Sequence, residues 1–88
     1  MNIKFESTFE KDIKTIKNRN LLVKLNQIIL NCKQAEVLGQ INGLKKLRGY
    51  DSLYRIRLGD YRVGVEVIDN DIIFTRFLHR KDIYKFFP

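Results

Sequence analysis

Residues 53–68 read LYRIRL-GD-YRVGVEVI, two runs in which apolar and polar side chains alternate on either side of a glycine and an aspartate. Alternation of this kind predicts β-strands, and a two-residue connection between them predicts a tight hairpin turn. If the Gly-Asp pair forms that turn, Arg57 lies across from Arg62, and Arg55 lies across from Gly64. The sequence therefore predicts a β-hairpin together with its register.

This register divides the hairpin into an apolar face and a cationic face. The apolar face carries Tyr54, Ile56, Leu58, Tyr61, Val63, Val65 and Val67, and the other face carries Arg55, Arg57, Arg62 and Gly64. Like charges directly opposite each other destabilise a strand pair, so Arg57 across from Arg62 predicts a bound anion. Gly64 leaves open space beside Arg55, into which a backbone or a ligand could approach.

The residues before the hairpin predict one strand and two helices. Residues 2–5 alternate weakly and predict a first strand. Ser7 and Glu10 form a capping box for a first helix that runs to about Lys17. Asn20 is the predicted N-cap of a second helix. Its apolar stripe consists of Leu21, Leu25, Ile28, Ile29 and Cys32, so Cys32 is expected to pack in the core.

The remaining segments complete an α+β pattern. Residues 35–50 lack a period and contain three glycines, which predicts a loop. Residues 72–78 predict a further strand, and a turn at 70–71 would place His79 across from Arg62. A short helix could close the chain. We therefore predict a single domain over residues 1–88 with the order β-α-α-β-β-β(-α), an antiparallel sheet with a helical hairpin packed on one face.

Composition limits the classes of function. The chain has 17 Lys and Arg against 10 Asp and Glu, a net charge of +7, and this surplus favours phosphate-bearing partners, nucleic acid before membrane. Its 88 residues are too few for a two-domain enzyme. One cysteine and one histidine predict neither a disulfide framework nor a metal site, and no cofactor is expected. Without a signal or membrane-spanning segment, we expect a cytoplasmic protein.

Four motifs together resemble those of the RelE/ParE superfamily of bacterial and archaeal toxins. They are KLRG at 46–49, YRIRL at 54–58, DYRV at 60–63 and HRKDIY at 79–84. The resemblance implies a RelE-like microbial RNase fold and the toxin role in a type II toxin-antitoxin module. It also implies a cognate antitoxin as partner, which we expect to be acidic. RelE-like members cleave mRNA in the ribosomal A site, whereas ParE-like members inhibit DNA gyrase.

The resemblance to the RelE-like branch also implies a catalytic set. By motif, it comprises Arg55, Arg57, Arg62, Arg80 and Tyr84. We add four RNA-binding residues, namely Lys45, Lys46, Arg48 and Lys81. The implied chemistry is attack of a ribose 2'-hydroxyl on the adjacent 3'-phosphate, with guanidinium groups stabilising the transition state. Messenger RNA and the ribosome are then the expected partners.

One departure from the family pattern leaves the general base open. The familiar ribosome-dependent pattern has lysines where this chain has Arg55 and Arg57. An arginine side chain does not lose its proton near neutral pH, so it cannot act as a general base. Histidine is the residue type that titrates near neutrality, so His79 is the predicted base and Tyr84 the second candidate. The same departure keeps a ParE-like gyrase inhibitor, or a non-catalytic binding module, as the alternative function.

Overall fold

A computed structural model describes all 88 residues and has the predicted α+β architecture. The strands are β1 (Asn2–Phe5), β2 (Leu44–Lys46), β3 (Leu53–Leu58), β4 (Tyr61–Ile68) and β5 (Asp71–His79). The helices are α1 (Ser7–Lys14), α2 (Arg19–Gln34) and α3 (Ile83–Phe86), with one 3-10 turn at Leu38–Gln40. The five strands form one sheet in the order β1-β5-β4-β3-β2.

The predicted hairpin is confirmed in its turn and its register. Arg57 pairs with Arg62, and Arg55 pairs with Gly64. Gly59 has φ of +57°, a left-handed conformation that glycine adopts without steric cost. The hairpin turn therefore forms at Gly59 and Asp60, as the sequence predicts.

The apolar face of the hairpin forms the core beneath α1 and α2, as predicted. The fully buried core side chains include Phe9, Leu25, Cys32, Ile56, Val63, Val65, Ile72, Phe74 and Phe77. Burying a large apolar side chain contributes about 1.5–3 kcal/mol, so this cluster holds the helices on one face of the sheet. The opposite face of the hairpin carries the arginines and is not covered by these two helices.

Two features of the sheet differ from the prediction. The sheet is mixed rather than antiparallel, because β1 runs parallel to β5 with Ile3 beside Ile72. Strand β2 lies within residues 35–50, which we predicted to be a loop. It pairs Lys45 with Arg55 at the edge of the sheet. A strand of three residues with two lysines shows no alternation, because an edge strand need not bury either side chain.

The helix ends also differ from the prediction. The N-cap of α1 is Glu6, which makes no side-chain cap, so the capping box at Ser7 does not form. The helix ends at Lys14 rather than about Lys17, and the Thr15 hydroxyl donates to the carbonyl oxygen of Asp12. For α2 the cap is Asn18 instead of Asn20; its Oδ1 accepts from the Leu21 N–H at 3.2 Å. The predicted apolar stripe of α2 is nevertheless kept, with Leu25 and Cys32 buried, and α1 buries Phe9.

Strand β5 has a different register from the predicted one. The β4–β5 turn closes between Ile68 and Asp71, one residue earlier than predicted, with Asp69 in the left-handed region at φ of +54°. A bulge at Thr75 then shifts the pairing by one residue. His79 consequently pairs with Tyr61 rather than Arg62. The predicted position of His79 among the arginines was therefore wrong.

Candidate active site

Three strands place basic side chains on the sheet face away from the core helices. Arg57 lies directly across from Arg62, and Lys45 lies directly across from Arg55. Residues opposite each other in an antiparallel pair project from the same face, so these four side chains share one surface. We call the set Arg55, Arg57, Arg62, Arg80 and Tyr84 the arginine groove.

Arg62 is held by the turn that precedes it. Its Nη1 donates to the carbonyl oxygens of Gly59 and Tyr61, each at 2.8 Å. These two bonds use both hydrogens of Nη1, which leaves Nε and Nη2 to face a ligand. A guanidinium oriented in this way is suited to bidentate binding of a phosphate.

The groove has little internal charge compensation. None of Arg55, Arg57 and Arg62 lies within ion-pair distance of a carboxylate, and the Arg80 Nε is 3.9 Å from the exposed Asp60 carboxylate. Partial burial lowers the pKa of Arg62, and repulsion from Arg55, Arg57 and then Arg80 lowers it further. An anion bound among these groups would relieve that repulsion.

Tyr84 reaches the groove from α3. It is 61% exposed, and it lies next to Arg55 at the edge of the arginine groove. Tyr84 also lines a cavity of about 220 Å³ with Arg55 and the basic residues Lys45, Lys46 and Arg48. The structure thus brings eight of the ten predicted site residues to the arginine groove or to the cavity beside it: Arg55, Arg57, Arg62, Arg80, Tyr84, Lys45, Lys46 and Arg48.

His79 and Lys81 are the two predicted site residues outside this group. His79 packs edge-on against Tyr61, with ring centroids 5.5 Å apart, on the core side of the sheet. Its Nδ1 accepts a hydrogen bond from the Lys81 backbone N–H at 3.2 Å. Lys81 itself is exposed in the turn after β5. The imidazole therefore supports the turn that carries Arg80 and does not face the arginines.

Phe87 is a residue of this surface that sequence reasoning missed. We predicted open space at Gly64, but the Phe87 ring fills it, and a Cβ on Gly64 would come within 2.8 Å of ring carbons. The signal was present in the sequence as a glycine inside a strand. What the sequence could not show is that the occupant comes from the chain's own C-terminal segment.

The structure also bears on metals and membranes. No group of three or more His, Cys, Asp or Glu side chains is arranged to hold a metal ion. None of the helices has the length and apolar character needed to cross a bilayer.

Comparison with known proteins gives matches over almost the whole chain. The family described as "ParE toxin of type II toxin-antitoxin system, parDE" matches residues 3–84. The chain is 42% identical to Toxin RelE3 of Methanocaldococcus jannaschii over 100% of both proteins. It superposes with a TM-score of 0.82 on a chain in the crystal structure of a RelB-RelE antitoxin-toxin complex from Methanococcus jannaschii, at 41% identity, covering 97% of this chain and 99% of that one.

A more distant structure shares the fold alone. The YoeB dimer from Staphylococcus aureus matches with a TM-score of 0.73 at 22% identity, over 90% of this chain and 95% of that one. The expected RelE/ParE resemblance and the RelE-like fold are confirmed by these matches.

Proposed function

The chain belongs to the ParE toxin family of type II toxin-antitoxin systems, and we propose that it is a RelE-like endoribonuclease that cleaves mRNA in the ribosomal A site. One observation carries the proposal. Arg55, Arg57 and Arg62 converge on an open sheet face without a carboxylate partner, and Tyr84 lines a cavity next to Arg55. Such a surface suits the phosphodiester of a single RNA strand.

The proposed reaction is a transesterification within the RNA. The ribose 2'-oxygen attacks the phosphorus of the adjacent 3'-phosphodiester while the bond from phosphorus to the 5'-oxygen breaks. The products are a 2',3'-cyclic phosphate and a free 5'-hydroxyl. Negative charge accumulates on the non-bridging oxygens, where the free N–H groups of Arg62, with Arg55 and Arg57, would stabilise it.

A proton must leave the 2'-hydroxyl and another must reach the 5'-oxygen. Guanidinium groups stay charged and do not readily exchange protons, so we assign both transfers to the Tyr84 hydroxyl. It donates its own proton to the leaving 5'-oxygen and takes up the proton of the 2'-hydroxyl, so that the phenol is restored at the end of the step. His79, the base that the sequence suggested, packs on Tyr61 on the other face of the sheet, so the observed register does not support that role. Its proposed contribution is to hold the turn that positions Arg80.

The basic residues around the groove suit the RNA on either side of the cleaved bond. Lys45, Lys46 and Arg48 line one wall of the cavity at Arg55 and Tyr84. We propose that they contact neighbouring phosphates, and that Lys81 does so from the turn after β5. Phosphate contacts fix the position of a nucleic acid without reading its sequence, so these residues are expected to set affinity.

We propose a cognate acidic antitoxin as the protein partner. The solved RelB-RelE structure is an antitoxin-toxin complex, and its toxin chain is 41% identical to this one. A net charge of +7 and an unneutralised groove favour an acidic segment that covers the arginines. The proposed substrate, mRNA on the ribosome, makes the cytoplasm the expected location.

A second candidate is inhibition of DNA gyrase. Two observations favour it: the matching family carries the ParE description, and the one histidine lies away from the arginines. A gyrase inhibitor needs no proton-transfer group, because it acts by binding. The two candidates therefore differ in whether RNA is cut.

The test has two parts. The chain is induced briefly in growing cells, and abundant mRNAs are then examined by primer extension. Separately, purified chain is added to purified gyrase in a supercoiling assay. We expect new 5' ends at defined positions within translated codons and unchanged gyrase activity. Intact mRNA together with inhibited supercoiling would contradict the proposal and support the second candidate. Induction of the Arg62→Ala variant at equal protein level is the control.

A further inference from the structure

Gly64 forms a recess in the sheet for an aromatic ring. The residue is buried in β4, pairs with Arg55 on one side and Arg76 on the other, and therefore faces the arginine side. The nearest atoms to a Cβ placed on Gly64 are ring carbons of Phe87, at 2.8–2.9 Å. Real Cβ atoms do not approach other heavy atoms so closely, so only glycine leaves room for the ring. Phe87 is 4% exposed as a result.

A second contact holds the neighbouring residue. The Arg76 guanidinium carbon lies 5.6 Å from the centre of the Phe86 ring, within cation-π range. Arg76 is itself fixed by Asp12 of α1, through bonds of 2.8 Å from Nε and 3.1 Å from Nη2. The end of the chain thus contacts the sheet at two points, one of which is tied to α1.

These two contacts determine where α3 lies. The helix has four residues, a length that is not stable in isolation. Ile83 is fully buried one turn before Phe87, and the Phe87 N–H donates to the Ile83 carbonyl oxygen at 2.7 Å. Tyr84 follows Ile83 but is largely exposed, so its position over the arginines depends on the residues around it. The Gly64 recess anchors Phe87, the C-cap residue of the helix.

We propose that Gly64 is a positioning residue, whose recess holds Phe87 and thereby keeps Tyr84 beside Arg55 in the arginine groove. The inference rests on the proposed function for its effect on cleavage, but the position of Tyr84 can be measured without any RNA. Arg55, Arg57 and Arg62 lie on strands and do not depend on the C-terminal segment. Loss of the recess should therefore affect the chemical step and leave binding of RNA to the arginines.

The test uses the Gly64→Ala variant in the full chain, with 3-fluorotyrosine incorporated at Tyr84. We expect the ¹⁹F resonance of residue 84 to move from its native position toward that of a solvent-exposed tyrosine. Displacement of a reacting group by about 1 Å can lower a rate by about 100-fold, and we expect a loss of that order in single-turnover cleavage. The affinity for a non-cleavable RNA bearing 2'-O-methyl groups should change by less than about threefold, because the phosphate contacts remain.

A matched control is Gly39→Ala. Gly39 has no heavy atom within 4 Å of the position that a Cβ would take and no left-handed backbone, so the same substitution there should leave the ¹⁹F resonance and the cleavage rate unchanged. The Phe87→Ala variant adds no atoms and is the second probe of the recess. It should move the ¹⁹F resonance in the same direction as Gly64→Ala, even if the latter folds poorly.

Rescue distinguishes positioning from general damage. In the Gly64→Ala background, Phe87→Leu provides a smaller side chain that fits beside the new methyl group, and we expect part of the cleavage rate to return. A native ¹⁹F resonance in both Gly64→Ala and Phe87→Ala would overturn the proposal. If the parent chain cuts no RNA, the proposed function fails, while the resonance still decides whether Gly64 positions Tyr84.

Discussion

Arg62 has the least freedom of the arginines in the groove. Its Nη1 is bound to two carbonyl oxygens of its own turn, while burial and three neighbouring guanidinium groups lower its pKa. A cation held in this way cannot turn toward solvent to escape repulsion. The arrangement is unfavourable in the free protein and becomes favourable when an anion is present.

The first prediction concerns Arg57→Ala and Arg62→Ala, alone and together. Growth inhibition should be lost. Arg57→Ala should leave the free energy of unfolding the same or raise it by up to about 1 kcal/mol, because a like-charge pair is removed. Arg62→Ala also loses two hydrogen bonds to the turn, so the two effects should offset each other to within about 1 kcal/mol. Toxicity is measured by induced growth and stability by urea unfolding. Arg19→Ala, which removes the same charge from the exposed start of α2, is the control. Full toxicity in the folded double variant would contradict the site.

Binding through the groove should also depend on salt. If about four phosphates are contacted, the logarithm of the RNA association constant should fall with the logarithm of salt concentration at a slope of about −3. The slope should become shallower by nearly one unit in Arg62→Ala. A slope near zero in the parent chain would remove the electrostatic basis of the site.

The second prediction separates Tyr84 from His79. Tyr84→Phe keeps the ring and removes the hydroxyl, so the single-turnover cleavage rate should fall about 100-fold or more, the usual effect of losing a proton-transfer group. His79→Gln should slow cleavage by less than about tenfold, because its ring packs on Tyr61. The reverse order of the two effects would restore His79 as the general base.

The third prediction concerns Cys32. Burial raises the pKa of its thiol to about 11. With that pKa, the fraction of thiolate at pH 8 is about 100-fold lower than for an ordinary thiol. Burial in the core also slows the access of a reagent to the sulfur. A thiol reagent should therefore label the native chain at least about 100-fold more slowly than the urea-unfolded chain. Equal labelling rates would show that Cys32 is not in the core.

At the residue level, the sequence predicted the positions of the hairpin arginines correctly and the position of His79 incorrectly. The Arg57–Arg62 pair follows from a two-residue turn and strict alternation, both of which are visible in the sequence. The position of His79 depends on the left-handed Asp69 and on the Thr75 bulge. Bulges arise from the fit between a strand and its neighbours, so residues 71–79 alone do not reveal one.

At the level of elements, β5 is covered along its free edge by two different structures. From Asp71 to Phe74 it pairs with β1. Beyond Phe74, side chains of α1 take over: the Thr8 hydroxyl donates to the Thr75 carbonyl oxygen at 2.7 Å, and the Asp12 carboxylate accepts from the Phe77 N–H at 2.9 Å. A helix therefore satisfies the edge that the short first strand leaves open, next to the bulge.

The fourth prediction concerns the β1–β5 pair. Hydrogen bonds from Lys4 and then Asn2 lower the pKa of Asp71 below its ordinary value. A carboxyl whose native pKa is lowered contributes stability above its unfolded pKa, and loses that contribution as pH falls through the native value. Asp71→Asn should therefore be less stable than the parent at pH 7, with a difference that shrinks toward pH 3. Urea unfolding at both pH values measures it.

The control for that experiment is Asp51→Asn, which removes an exposed carboxylate without an ion-pair partner. Its stability relative to the parent should change little between the two pH values. A destabilisation by Asp71→Asn that persists undiminished at pH 3 would show that the Lys4 bond is not its source.

The elements that sequence predicted least well are those with little to bury. Strand β2 has three residues, and the bounds of α1 and α2 depend on which of several polar residues becomes the cap. Asn18 and Asn20 are chemically equal candidates, and the choice between them depends on how α2 packs. Parallel pairing of β1 with β5 joins residues about 70 positions apart, which no local pattern encodes.

At the scale of the whole molecule, charge and apolar burial lie on different faces of one sheet. The helices and the large aromatic cluster cover one face. The other face keeps its arginines and is closed only by α3 and Phe87. Because the core does not depend on the groove, groove residues can be changed without loss of the fold, which makes the predictions above measurable.

The fifth prediction concerns the partner. A reading frame adjacent to the gene should encode a small acidic protein that binds this chain and suppresses its toxicity, because an acidic segment neutralises the groove. Co-purification and a growth assay with both proteins measure this. Binding should weaken in Arg55→Ala and Arg57→Ala and should compete with RNA. The absence of a binding product, together with harmless expression of the chain alone, would contradict the toxin assignment.

The central claim is that the arginine groove cleaves RNA by attack of the 2'-hydroxyl, and the chemistry of the new ends tests it most directly. Purified chain is incubated with ribosomes that carry a defined mRNA, and the ends of the fragments are identified by mass spectrometry. We predict a 2',3'-cyclic phosphate on the upstream fragment and a 5'-hydroxyl on the downstream one, with neither produced by Arg62→Ala. Fragments with a 3'-hydroxyl and a 5'-phosphate, or cleavage that persists in Arg62→Ala, would contradict the account.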